Sequence, residues 1–393
     1  MPLQLNHALK SPHPQDARAR QDFVSSLRGF VLNDMAAEMR SRYDTEVAPR
    51  LAAAGVADPD EDAVRKAMAD NLYFQFYSAT RVNAQEMVWR AVTPGVEADL
   101  PALERRIEAV SGKTGGSLTL DPALPMPRNV TAIDVHLMPG GYVAGDSAAA
   151  GAVYDNGLAV FSAGFMGRDL DDIGMSMAHW VRHRHPEFKP RRILDCGCTV
   201  GHNTAPWKRA YPDAQVVGID VSASALRYAH GRAESLGLAI DYRQMDATCL
   251  DYPDGSFDVV FSSMFLHELT QKQLRAYLAE ARRVLAPGGL MLTMELPPNN
   301  ILPAYDQFYL DWDCYHNNEP FYRAYRDQDP AALLREAGFV AGDIFDFTVP
   351  QYTYMAEADF SAAVNHPPEV GTDTGRLSAT VHWFGFGAWK APA

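Results

Sequence analysis

The sequence predicts an α/β fold, a mostly parallel β-sheet covered by helices, with a mainly helical domain in front of it. Three observations carry this. From about residue 190 short apolar strands alternate with helix starts, and strand–helix–strand units of that length imply parallel strands joined by crossovers. Residues 21–112 instead show apolar residues at helical spacing throughout. Composition allows a core: 47% of the 393 residues are hydrophobic and 21% are charged, which excludes a wholly disordered chain.

Taken in order, residues 1–20 are polar. Phe23, Leu27, Phe30, Val31, Met35 and Met39 then recur at three- and four-residue steps. Asp60 is placed to cap a helix carrying Val64, Met68 and Leu72. Pro101 is expected in the first turn of a further helix, with Leu103, Ile107 and Val110 on one face and Gly112 past its end. Residues 113–150 hold Gly and Pro punctuation around one expected strand, 130–137. The domain boundaries expected are therefore 1–150, mainly helical, and 151–393, the sheet domain. Its strands are expected at 192–195, 214–220, 257–262 and 290–295, with helices at 222–236 and 270–285 between them. Thr270 and Gln273 form a capping-box pattern.

Charge and cysteine usage narrow the partners. A net charge of −14 opposes non-specific nucleic-acid binding, which needs positive potential. The densest basic patch, around Arg182, Arg184, Lys189, Arg191 and Arg192, reads as a solvated helix end and loop. Four cysteines are too few for a disulfide framework. Neither an N-terminal apolar signal region nor an apolar run long enough to span a membrane is visible. The expectation is a cytoplasmic protein without a membrane span.

Ligands on parallel sheets bind beyond the carboxyl ends of the strands. The first strand ends in Asp195-Cys196-Gly197-Cys198-Thr199-Val200-Gly201 and the second in Asp220-Val221. Glycines permit tight turns and close backbone approach, and an acid about 20 residues further on can accept hydrogen bonds from ribose hydroxyls. The pair points to an adenosine-like ligand. The loop lacks the Gly-x-Gly-x-x-Gly of dinucleotide sites and the Gly-Lys-Ser/Thr of nucleotide phosphate loops.

These residues resemble the class I S-adenosylmethionine-dependent methyltransferases. Their first motif is acidic-x-Gly-x-Gly-x-Gly; here Asp195, Gly197 and Gly201 match and Thr199 replaces the middle glycine. Residues 217–222 are similar to the second motif, 244–247 to the segment whose acid meets the adenine, and 257–262 to the fourth strand. Residues 282–289, 333–339 and 383–389 are similar to the turn, helix and strand that follow. The likeness covers about half of the chain, 150–295 plus 330–393. It implies a Rossmann-like seven-stranded sheet and S-adenosylmethionine as cofactor. The residues it implies around that cofactor are Asp195, Gly197, Cys198, Gly201, Asp220, Val221, Asp246, Ala247 and Ser262. Tyr154-Asp155, the Phe161–Gly164 stretch and Arg168 resemble the entry segment of the ubiquinone/menaquinone-biosynthesis C-methyltransferase group. That match implies Tyr154 over the cofactor. The group's Gly-x-Arg-Asn after the fourth strand is absent, replaced by Met264-Phe265-Leu266-His267-Glu268, so its quinone substrate is not carried over. Cys196 and Cys198 have no second Cys or His pair at zinc-finger distance, and no metal is expected.

His267 is the expected general base, with a pKa near the usual ~6.5, and Glu268 either orients it or faces solvent. Asp313 and His316 are alternative bases. The 296–328 segment reads as a lid insertion: eight of its 33 residues are aromatic, against 10% of the chain. Tyr309, Trp312, Tyr315 and His316 are expected to bind the acceptor, since aromatic walls suit flat or greasy groups and a passing cation. Tyr73, Phe74, Phe76 and Tyr77 either extend this lid or form a homodimer surface through the N-terminal helices. The activity expected is methyl transfer to carbon or oxygen of a small aromatic or lipophilic acceptor. The alternative is a protein that binds S-adenosylmethionine without transferring its methyl group. It would then act in regulation, or use the sulfonium charge for a rearrangement or decarboxylation.

Overall fold

The structure, a computed structural model, describes residues 7–143, 145–367 and 382–392. It contains one sheet of eight strands: β1 (Leu118–Thr119), β2 (Arg192–Cys196), β3 (Gln215–Asp220), β4 (Asp241–Gln244), β5 (Phe257–Ser263), β6 (Leu285–Glu295), β7 (Ile344–Pro350) and β8 (His382–Trp389). Their order is β1-β4-β3-β2-β5-β6-β8-β7, with β8 antiparallel to both β6 and β7 and all other pairs parallel. The mostly parallel, Rossmann-like α/β sheet is as expected, but seven strands become eight. The additional one, β1, lies N-terminal to position 150 and is two residues long, too short to show any periodicity.

Helices cover both faces, as the strand–helix alternation requires. One face buries Ile193, Val216, Val259 and Leu290 under Trp180, Trp207 and Leu226. The other buries Leu194, Val217, Val260 and Met291 under Leu274, Tyr277 and Leu334. The helix Gln271–Val284 begins with the capping box of Thr270 and Gln273, and Asp60 caps Glu61–Met68 by accepting from the Ala63 N–H at 2.8 Å.

Two expectations change. Residues 130–137 are not a strand but short helical turns, Arg128–Thr131 and Val135–Leu137, with His136 and Leu137 at positive φ. The His136 carbonyl accepts from Gln85 Nε2 at 2.9 Å and Trp89 Nε1 at 2.8 Å, so tertiary donors take the group a sheet would have paired. Pro101 does not start a helix. It lies inside Leu72–Val110, a helix of 39 residues that also contains Pro94. Both prolines are exposed, so water can reach the carbonyl each leaves unbonded.

The N-terminal helices sit over the carboxyl ends of the strands. Val88, Trp89 and Val92 pack with Val153, Val200 and Tyr228, and Val31, Met35 and Tyr77 pack with Tyr305, Phe308 and Trp312 of the helix Ala304–His316. Arg81 Nε donates to Asp313 at 2.7 Å and Arg40 to Asp306 at 3.1 Å, crossing the same seam.

Candidate active site

A cavity of about 340 Å³ opens where the strands end. One wall is the predicted cofactor loop. β2 delivers Asp195, and the chain then turns through Gly197, whose φ is +74° and whose absent Cβ leaves room for the Phe265 ring. β3 delivers Asp220, whose carboxylate accepts from the Thr199 N–H at 2.9 Å and the Ser222 N–H at 2.8 Å. Thr199, standing where the motif has glycine, takes a φ of 48° to make that contact. Asp195, Gly197, Cys198, Asp220, Val221 and Tyr154 all line the cavity. Burial pushes the Asp195 carboxyl up to about 7, against a hydrogen bond from Thr204 at 2.5 Å. Burial also raises Asp220 and Tyr154.

The same cavity is lined by His136, His267, Glu268 and Tyr309. β5 ends just before a short turn, Leu266–Glu268, that carries His267. Its Nδ1 donates to Glu295 Oε2 at 2.6 Å, while its Nε2 stands 3.8 Å from Glu268 Oε1. Burial lowers a histidine's pKa, but the charge and hydrogen bond of Glu295, with Glu268 and Glu319, outweigh it and push His267 up to about 9. The value near 6.5 expected of a solvated ring does not hold. Glu268 is raised by burial. His136 Nδ1 stands 2.8 Å from Glu319 and its Nε2 3.8 Å from Glu268. Two imidazoles thus flank one carboxylate.

Seven expected site residues do not line this cavity. Gly201, φ +73°, makes room for the Tyr242 hydroxyl. Asp246 turns its carboxylate onto the Thr248 N–H at 2.8 Å, with Ala247 buried beside it. Ser262 is buried and paired with Thr293. In the lid, Trp312 packs its ring 5.6 Å from Phe74 and 5.2 Å from Tyr77, so its face serves the helix seam. His316 lies against Trp312, and Tyr315 is 75% exposed, on the outer side of the helix. Asp313 is held by Arg81.

The structure adds residues that the sequence reading passed over. Glu295 ends β6, so the rule of inspecting strand ends contains it, yet only the strand order puts it beside His267. His202 lines the cavity and donates from Nε2 to Asp155 at 2.6 Å; Asp155 also accepts from Tyr228 at 2.7 Å and pairs with His7 at 3.0 Å. Burial and the Arg232 charge bring His202 down to about 4, so it meets Asp155 as a neutral donor. Burial alone would raise Asp155, but its histidine partners hold it well below the usual carboxylate range. Backbone strain gathers here too. Of seven non-glycine residues at positive φ among the described residues, His136, Leu170, Thr199 and Met264 line the cavity.

Residues 193–289 match the sequence model of a family described as a methyltransferase domain. The demethylmenaquinone methyltransferase of Thermus thermophilus is 37% identical over 112 residues, 28% of this chain and 50% of that protein. The ajmaline N-methyltransferase of Rauvolfia serpentina is 32% identical over 121 residues, 30% of this chain and 40% of that one. The ubiquinone/menaquinone biosynthesis C-methyltransferase UbiE of Escherichia fergusonii is 29% identical over 175 residues, 40% of this chain and 69% of that one. The chain spans about half the length of the first of these relatives. These likenesses are to class I S-adenosylmethionine-dependent methyltransferase domains, a class whose cofactor is S-adenosylmethionine.

The residues present fit this cofactor. A diol needs a carboxylate acceptor, which Asp220 offers with lone pairs beyond its two backbone donors. A sulfonium needs nearby carboxylates and ring faces; Asp195, Tyr154 and Tyr142 share the cavity. No helix among the described residues is long and apolar enough to cross a membrane.

Proposed function

We propose that this protein transfers a methyl group from S-adenosylmethionine to carbon or oxygen of a small aromatic or lipophilic acceptor. One observation carries this reading: Asp220 and His267, from the ends of different strands, line the same cavity. Asp220 would hold the ribose hydroxyls and Tyr154 would cover the bound molecule. The cofactor supplies an electrophilic methyl on a cationic sulfur, so the protein's task is to align an acceptor, keep water out and manage a proton. His267 Nε2 is the group for that proton. Glu295 fixes the ring's orientation through Nδ1 and raises its basicity. Phe161, Phe165, Tyr309 and Trp89 give the cavity apolar walls suited to a ring or chain.

The division at 150 and the 296–328 lid belong to the same reading: the N-terminal helices pack against the insertion, and together they would roof the strand ends. Exposed Leu72 and Phe76, 79% and 62% exposed, favour a homodimer face on those helices. The net charge of −14 favours a small-molecule acceptor over nucleic acid, and four free cysteines suit a cytoplasmic setting.

The test is to incubate the protein with S-adenosylmethionine and fractionated cell extract. Release of S-adenosylhomocysteine with a product 14 mass units heavier than its precursor is the expected result, and mass spectrometry then identifies the acceptor (the increment is that of about one CH₂). Tight cofactor binding with no release across all fractions would favour the non-transferring alternative.

A further inference from the structure

We propose that His179, His183 and Glu357 form a zinc site on the outer side of the sheet domain, separate from the cavity. His179 and His183 lie one turn apart on the helix Asp172–Arg184, and Glu357 is the first residue of the helix Glu357–Asn365. One ligand atom from each lies within 4.8 Å of the other two. Glu357 Oε1 is 2.7 Å from His183 Nε2 and 3.9 Å from His179 Nδ1. Tetrahedral zinc bonds of about 2.0–2.2 Å put ligand atoms roughly 3.3–3.6 Å apart, between these two separations, so small side-chain shifts bring them to the ion.

Two further observations point to a ligand rather than to an ion pair alone. His179 is 8% exposed, and its Nδ1 is buried without a hydrogen-bond partner. At 3.9 Å, Glu357 is too far to satisfy it by a hydrogen bond, but a metal between them would. The side chains are also held in place before any ion arrives. Tyr352 stacks on the His179 ring with centroids 3.8 Å apart, and its hydroxyl donates to Glu357 Oε2, which leaves Oε1 facing the histidines. Two imidazoles and one carboxylate suit zinc rather than magnesium or calcium, which take oxygen ligands. The fourth position faces solvent, since Glu357 is exposed, and water would fill it. Arg182 is the nearby cation that opposes the ion. The bound metal would tie the start of Glu357–Asn365 to the Asp172–Arg184 helix. This inference does not depend on the methyl-transfer reading.

The experiment is calorimetric titration of the untagged, chelator-stripped full chain with zinc chloride, with magnesium as control. One zinc per chain with Kd below about 10 µM is expected, with no heat from magnesium. His183→Asn and Glu357→Gln should each weaken zinc at least about tenfold. Both residues are partly exposed, so the folds survive, which circular dichroism and unchanged S-adenosylmethionine binding would verify. The wild-type melting temperature should rise with zinc and that of His183→Asn should not. Absence of one-to-one binding in the wild type, or equal zinc affinity in the variants, would overturn the site and leave an ion pair of His183 with Glu357.

Discussion

Glu295 Oε2 lies 2.6 Å from His267 Nδ1, with both side chains 1% exposed, so the candidate base is tied to a buried carboxylate at the end of the neighbouring strand. The pair makes stability depend on pH. His267 has a folded pKa of about 9, above the ~6.5 of an unfolded chain. Its contribution is therefore complete below pH ~6.5 and disappears as pH rises through about 9. Glu295→Gln keeps an acceptor for the Phe265 and Leu266 N–H groups and removes the charge. Denaturant unfolding should show the variant about 2 kcal/mol less stable at pH 6, converging on the wild type above pH ~9. A difference that stays constant from pH 6 to 9 would contradict the pairing.

His267→Ala should lower turnover by about 10²–10⁴-fold with S-adenosylmethionine affinity nearly unchanged. The wild-type rate should climb with pH toward an inflection near about 9, where the ring releases its proton. An inflection that instead follows the acceptor's own pKa, with a mutant of near-normal rate, would assign the proton to solvent.

Asp220→Ala should weaken S-adenosylmethionine at least about tenfold by calorimetry, since charge-assisted bonds to buried hydroxyls contribute about 1.5–3 kcal/mol each. Unchanged affinity in a folded variant would move the ribose site elsewhere.

Asp155→Ala strands donors on His7, His202 and Tyr228 in a buried setting. A loss of about 3–5 kcal/mol is expected in chemical denaturation. Because the folded pKa of Asp155 is depressed, its contribution is present above about pH 4 and falls as pH drops toward the folded value. The gap between wild type and variant should accordingly narrow in acid.

Trp312 and Tyr315 separate lid packing from acceptor contact. Trp312→Ala opens the seam with Phe74 and Tyr77 and should cost about 3–5 kcal/mol of stability. Tyr315→Ala, at an exposed position, should change stability by less than about 0.5 kcal/mol and leave KM for the acceptor unaltered. A raised KM in Tyr315→Ala would restore it to the substrate site.

Particular residues show what could be read in advance. Gly197 and Asp220 were legible because a turn with positive φ and an acid at a strand end leave local signatures. The capping box of Thr270 and Gln273 was legible for the same reason. The lid was legible as a composition, but not by face. At about 100° per residue, Tyr309 and Tyr315 point some 120° apart around one helix, so both cannot face one cavity. Tyr309 faces it and Tyr315 does not. The 39-residue helix hid behind its own prolines, which act as breakers only where the lost hydrogen bond cannot be replaced.

The sequence by itself determined the α/β class, the strand ends and the acid that ends β3 in the cavity, because periodicity, turns and caps are local properties of the chain. Tertiary structure alone decided which charges meet. Glu295 reaches His267 only because β6 lies beside β5, and His136 reaches Glu268 only because a loop more than a hundred residues upstream folds over the strand ends. Burial raises the Glu268 carboxyl and neighbouring carboxylates raise the His267 ring against its burial; desolvation and charge act through space and leave no trace in the order of residues.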